Sequence, residues 1–324
     1  MRREGKGVKR MLFAAAFAAG GAFAQSDYPN RPVRIVVPTT PSGGSDLVAR
    51  LLAPALSDRW GKQVVVDNRA GAGTAIGSEL VAKAPADGYT LLMGLSTLAI
   101  NPALYAKVPY DAVRDFAPVT QAVFVPHIII VHPSLPVKSV ADMIALAKAR
   151  PGQILFASAG YGTNQHLAME LFSSMAQIRL LHVPYKGTSP AIIDLIAGQV
   201  AIMAPSMVSA LPHVRSGRLR ALGVTSARRV TGAPDIPTIA ESGLPGYDSV
   251  QWIGLLAPTG TPREIVARLY RESVSILRAP ESVKRLASEG AEVVASTPDE
   301  FAAFIKTETV KWAKVAQAAG IRPE

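Results

Sequence analysis

Cysteine is missing from all 324 residues. The chain therefore forms no disulfide, has no thiolate nucleophile or Cys-based zinc site, and carries no N-terminal cysteine for a lipid anchor. An exported protein does not need disulfides when its core is large. Aromatic residues make up only 6% of the chain, and no basic stripe is interleaved with them, so nucleic-acid binding has no support. The histidines are few, and His127, His132, His166, His182 and His213 show no ligand-like spacing with acids, so no metal or cofactor is expected. Beyond residue 24 no apolar run reaches the roughly 20 residues that a membrane-spanning helix requires.

What is present begins with an export leader. Arg2, Arg3, Lys6, Lys9 and Arg10 form a basic stretch, Met11 to Phe23 is a short alanine-rich apolar run, and Ala22-Phe23-Ala24 is a small-x-small cleavage site. Residues 1–24 are read as a signal peptide, with the periplasmic chain starting at Gln25. Glu4-Gly5-Lys6 follows Arg2-Arg3 where a twin-arginine signal wants apolar residues, which favours Sec export. The leader holds five bases and one acid, so its removal takes the net charge from +10 to about +6. The remaining length, about 300 residues, is too great for one ordinary core and points to two domains.

Strand-like and helix-like segments alternate, the pattern of an α/β fold. Val33 to Val37, Val64 to Val66, Thr90 to Met93, Ile128 to Val131 and Leu155 to Ala157 read as strands. A helix is expected from Asp46, kinked or shortened by Pro54, and another from Thr74 to Ala84. Three capping boxes are legible, Ser139 with Asp142, Thr261-Pro262 with Glu264, and Thr297-Pro298 with Glu300. Ser189-Pro190 opens a further helix, which Gly198 stops. The last helix, about Asp299 to Ala319, puts Phe301, Phe304, Ile305, Trp312 and Val315 on one apolar side.

Most catalytic signatures fail. Ser158 has Gly160 after it, but Phe156 stands where a nucleophile elbow needs glycine, and Gly43-Gly44-Ser45 lacks the lysine of a phosphate-binding loop. Gly71 to Gly77 resembles a dinucleotide fingerprint, yet its last glycine comes one residue late and no acid follows the next strand. Two similar loops remain, Pro41-Ser42-Gly43-Gly44-Ser45-Asp46 and Ser158-Ala159-Gly160-Tyr161-Gly162-Thr163-Asn164. Each combines glycines, hydroxyls and a helix N-terminus, a means of holding an anion without an arginine. Each taken singly is also an ordinary capped turn; as a pair they support an anion site between two lobes.

Dense matches then carry a family resemblance. They include Arg34-Ile35-Val36-Val37-Pro38, Asp67-Asn68-Arg69-Ala70-Gly71-Ala72-Gly73, Asp87-Gly88-Tyr89-Thr90, His182-Val183-Pro184-Tyr185-Lys186-Gly187 and Pro234-Asp235-Ile236-Pro237-Thr238. Over essentially all its length beyond the leader, the chain resembles the extracytoplasmic receptors of tripartite tricarboxylate transporters, the Bug family. The resemblance implies a type II periplasmic-binding-protein fold, two α/β lobes with a ligand cleft between them. Lobe one would hold residues 25–125 and 249–324 and lobe two residues 126–248, with crossings near Val123 to Ile128 and Tyr247 to Trp252.

The resemblance also implies a small carboxylate held by the two loops, largely through main-chain amides, hydroxyls and water. The expected ligand-binding residues are Thr39, Ser42, Gly43, Gly44, Ser45, Asp46, Ser96, Ser158, Gly162, Thr163 and Asn164. Relatives often carry Asp where this chain has Pro205, and its loss removes a partner for an α-ammonium group. Simple mono- or dicarboxylates are therefore expected over amino acids. The expected protein is a monomer without enzymatic activity that meets transporter membrane subunits transiently. An exported sensor signalling to a membrane partner is the alternative, and a secreted hydrolase or isomerase lacks its constellation of groups. Expressed with its leader in a Gram-negative host, the chain should be recovered from the periplasm with Gln25 or Ser26 at its N-terminus, as N-terminal sequencing will read.

Overall fold

The computed structural model describes residues 28–41 and 44–321. The expected leader, and Ser42 and Gly43 of the first loop, lie outside the described residues. The chain opens with β1 (Val33–Val37), α1 (Gly44–Trp60), β2 (Val64–Asn68), α2 (Ala75–Ala82), β3 (Thr90–Leu95), α3 (Thr97–Leu104) and the long β4 (Phe116–Pro126). It continues into a second lobe with β5 (Ile128–Val131), α4 (Val140–Ala149), β6 (Leu155–Ser158), α5 (Asn164–Ala176) and β7 (Leu181–Pro184). That lobe is completed by α6 (Thr188–Ile196), β8 (Ile202–Met203), α7 (Met207–Arg215) and β9 (Arg220–Val224). The chain returns through β10 (Val250–Pro258) and ends with α8 (Arg263–Leu277), α9 (Pro280–Ser288), β11 (Glu292–Val293) and α10 (Pro298–Ala318).

The two sheets have the orders β11-β4-β10-β3-β1-β2 and β7-β6-β8-β5-β9. In each, three parallel strands are followed by an antiparallel strand that arrives from the other lobe, β10 beside β3 and β5 beside β8. This is the mixed α/β, two-lobed type II arrangement. Parallel strands deliver their following loops and helix N-termini to one sheet edge. The loops after β1, β3, β6 and β8 are thus gathered at the lobe faces that oppose each other.

Core formation follows the apolar periodicity. One cluster packs α1 and α8 on the first sheet through Leu52, Leu56, Ile35 and Leu269. A second fills the other lobe around Ile128, Leu195 and Met203. A third runs through both lobes, joining Leu98 and Leu104 of α3, Leu167 and Phe172 of α5, and Phe301 and Trp312 of α10. Each such buried side chain contributes roughly 1.5–3 kcal/mol. The last helix therefore packs across both lobes, not across one. Gly254 permits this, because a Cβ there would lie 2.8 Å from the Thr120 carbonyl oxygen, under the ring of Phe301.

Three local readings need correction. Of the two effects expected of Pro54, shortening does not occur, since α1 runs on to Trp60; the proline sits on the exposed side, where the carbonyl it leaves unbonded can be hydrated. Thr261 does not cap α8, since its hydroxyl donates to the Pro258 carbonyl at 2.7 Å and Pro262 takes the cap position. Helix α6 starts at Thr188 with Gly187 as its cap, ahead of Ser189-Pro190. The box at Thr297 and Glu300 is complete, with both reciprocal hydrogen bonds formed.

His127 alone separates β4 from β5. Its N–H donates to the Thr225 hydroxyl at 3.0 Å and its carbonyl accepts from the Thr225 N–H at 3.0 Å, while its buried Nδ1 has no hydrogen-bond partner. Burial pushes its pKa down from 6.5 to about 4. Between those values the unfolded chain binds more protons than the folded one, so stability falls as pH drops through this window and the contribution levels off below about 4. Denaturation monitored from pH 7 to 4 should show this loss, and His127→Phe should flatten it by about 3 kcal/mol.

Candidate ligand-binding cleft

The first loop is held from below by its own first helical turn. Thr39 Oγ1 and Ser45 Oγ lie 2.8 Å apart, and Asn68 at the end of β2 donates Nδ2 to the Thr39 carbonyl at 3.1 Å. The same amide donates to Asp46 Oδ1 at 3.0 Å, and Arg50 Nε donates to Asp46 Oδ2 at 2.8 Å. Asp46 is thus a buried, charge-balanced brace for the loop, and its carboxylate is engaged on the protein side. Gly44 sits above β10, where a Cβ would come 3.2 Å from Ile253 Cδ1.

The second loop, between β6 and α5, is tied to itself. Ser158 Oγ accepts from the Gly160 N–H at 3.1 Å and lies 2.7 Å from His182 Nε2. Thr163 Oγ1 donates to the Gly160 carbonyl at 2.8 Å and accepts from the His166 N–H, capping α5. The Gly162 N–H donates to His166 Nδ1 at 3.1 Å. The hydroxyls of Ser158 and Thr163, expected as ligand donors, are therefore committed to shaping the loop. Helix geometry leaves the first N–H groups of α5 without intrahelical acceptors.

The lobes meet at this loop. Ser96, at the end of β3, donates its Oγ to Asn164 Oδ1 at 2.8 Å, a buried hydrogen bond from one lobe to the other. Asn164 is only 8% exposed, and its Nδ2 is buried with no hydrogen-bond partner among the described residues. A Cβ at Gly162 would lie 2.7 Å from Leu104 Cδ1 of α3, again across the lobe boundary. A cavity of about 730 Å³ opens between Gly44 and Asp46 of α1, Ser206 at the cap of α7 and Ser209 within it, with Val125 and Gln251 of the crossing strands also in its lining.

The structure thus pairs Ser96 with Asn164 and Thr39 with Ser45, and places Gly162 at the lobe contact. It puts Gly44 and Asp46 on the cavity wall and keeps Ser158 and Thr163 inside the second loop. Sequence reasoning missed His166, His182, Ser206, Ser209 and Gln251. The two histidines are distant in sequence and meet only because β7 pairs with β6. His182 is neutral, since burial above all pushes its pKa down from 6.5 to about 3. Among the described residues there is no group of three or more acidic or histidine side chains that could hold a metal, and no helix long and apolar enough to cross a membrane.

Comparison with known proteins agrees with the two-lobed fold. A family model described as the tripartite tricarboxylate transporter family receptor matches residues 48–321. Protein BugT of Bordetella pertussis is 39% identical over 313 residues, spanning 96% of this chain and 96% of that one. A structure from R. palustris with adipate has a TM-score of 0.76 at 38% identity and covers 92% of this chain and 100% of the other. The protein MatC from Rhodopseudomonas palustris with bound malate has a TM-score of 0.72 at 32% identity, covering 89% and 99% of the two chains. Fold and sequence together define a solute-binding protein of the receptor type. The chain belongs to the tripartite tricarboxylate transporter receptor family, to which the Bug proteins are related.

Gly162 has φ +72°, a conformation that other residues adopt at a cost. Gly162→Val should therefore lower stability by about 1–3 kcal/mol, and its side chain should hold the lobes apart at Leu104. Denaturation and small-angle scattering check the two effects, and the second should appear as a larger radius of gyration.

Proposed function

We propose that this chain is a periplasmic receptor that closes around a small mono- or dicarboxylate and hands it to the membrane subunits of a tripartite tricarboxylate-type transporter. In this reading the leader is removed after Ala24 and the protein works as a monomer. Residues 25–125 with 249–324 form one lobe and residues 126–248 the other.

The observation that carries the reading is the buried, unpartnered Nδ2 of Asn164 at the first position of α5. A buried donor without an acceptor costs about 1–3 kcal/mol. A carboxylate arriving there would satisfy it, accept from the neighbouring helix N–H groups and interact favourably with the helix dipole. Ser96 of the first lobe holds the Asn164 side chain through its Oδ1, so an anion bound at Nδ2 would sit where the lobes meet and favour closure. The relatives solved with adipate and malate support a carboxylate as the ligand class. Pro205, buried at the end of β8, offers no carboxylate to an ammonium group, which supports simple acids over amino acids.

A thermal-shift screen tests the reading. A ligand at about 100 times its Kd adds roughly 2.7 kcal/mol to stability, enough to raise Tm by several degrees. Adipate, succinate or malate should do so and should also shrink the radius of gyration in scattering. A shift with amino acids but with none of the simple acids would overturn the ligand class.

A further inference from the structure

The second loop carries glycines at φ +137° (Gly160) and +72° (Gly162), so neither helix nor strand geometry maintains its shape. Something else must hold it. Beneath it three rings stack in the order Phe156, His182, His166, and Tyr161 of the loop leans on His166 with planes at 35°. Phe156 and His182 have centroids 4.7 Å apart, His182 and His166 3.9 Å with planes at 10°, and His166 and Tyr161 4.9 Å. The two imidazoles lie between Phe156 and Tyr161, and each reaches one end of the loop. His182 Nε2 meets Ser158 Oγ, and His166 Nδ1 meets the Gly162 N–H.

The chemistry of the second contact fixes the state of the ring. An N–H pointing at Nδ1 requires that nitrogen to be a bare acceptor, so the His166 proton resides on Nε2, which faces Glu170 Oε1 at 3.5 Å. Phenylalanine could fill the stack as Phe156 does, so packing alone does not explain an imidazole at position 166. The acceptor does. His166 is 2% exposed and lies under the loop, away from the cavity, so its effect on a ligand must pass through Gly162.

We propose that His166 and His182 act as one stacked, neutral pair that sets the conformation of the second loop, and that His166 is a positioning residue for carboxylate binding because its Nδ1 holds the Gly162 amide. Its link to ligand binding rests on the receptor reading above; its link to loop shape does not.

Two measurements test it. Long-range ¹H–¹⁵N correlation on the wild-type protein reads the tautomer of His166 directly: Nε2–H is expected, and an Nδ1–H tautomer or an imidazolium at neutral pH would overturn the proposal. Calorimetry with adipate, succinate and L-malate then compares wild type, His166→Phe and His166→Asn. The phenylalanine keeps the ring and loses the acceptor, whereas the asparagine Oδ1 offers an acceptor at the position of Nδ1. His166→Phe should bind at least tenfold more weakly, and His166→Asn should recover to within about threefold of wild type. Equal loss in both variants, or no loss in either, would sink the positioning role. If His166→Phe does not fold, His166→Asn decides: affinity tenfold below wild type counts against the proposal, and affinity within threefold supports it. Wild type that binds none of the three acids would remove the receptor reading with this ligand class, and the tautomer would still decide whether the pair holds the loop.

Discussion

The antiparallel ladder between β4 and β10 is the constraint on which the rest of the molecule depends. It runs from Val250 opposite Pro126 to Pro258 opposite Phe116. Both connections between the lobes leave from one end of it, at His127 on one strand and Ser249 on the other. Thr225 of the second lobe ties these together, with its N–H donating to the His127 carbonyl at 3.0 Å and its carbonyl accepting from the Ser249 N–H at 2.8 Å. Two crossings fixed side by side allow rotation about the line through them and resist sliding. Val125 and Gln251, which line the cavity, are paired in that ladder close to the crossings, so they would move less than the loops on rotation.

A second connection limits that rotation. Helix α10 belongs by sequence to the first lobe but packs against both α3 and α5. Near its end Lys311 donates to the Asp248 carbonyl at 3.1 Å and pairs with Glu308, which also accepts from Trp312 Nε1 at 2.9 Å. Burial raises the pKa of both Glu308 and Asp248, with the nearby Lys311 pulling each back down. One ammonium thus serves two largely desolvated carboxyl groups beside the second crossing. Removing it would leave buried charge uncompensated, which is far more costly than the pair itself is stabilising. Helix, lysine and crossing behave as a unit because of this electrostatic arrangement.

The parts of this architecture that depend on local patterns were legible in the sequence. The β-branched runs at Val33 and Ile128, the complete capping box at Thr297 and Glu300, and the apolar side of the last helix all became the expected elements. Caps that depend on the preceding turn were not legible. Thr261 found a carbonyl three residues back, and Gly187 started α6 before the proline could. The two loops were recognisable from glycines and hydroxyls, but the direction of each hydroxyl was not. Ser158 faces inward because an imidazole claims it, which follows from the pairing of β6 with β7, and Thr163 because it caps α5 and bonds the Gly160 carbonyl. No spacing in the sequence brings His166 beside His182.

That inward commitment separates affinity from selectivity. Hydroxyls occupied within the loop cannot adapt to different ligands, so the anion end of the proposed site would be a fixed arrangement of main-chain amides with the Asn164 side chain. Such a surface is preorganised and needs little ordering on binding, but it recognises any carboxylate in the same way. Discrimination between one acid and another must then come from groups that face the body of the ligand. In the proposed receptor the cavity beside α1 and α7 offers such groups, with Ser206, Ser209 and Gln251 polar and Leu47 and Val208 apolar. These positions come from α1, α7 and β10, outside the loop tied by the imidazoles. In the proposed receptor the cavity wall could therefore change by substitution without disturbing the ties that hold the second loop.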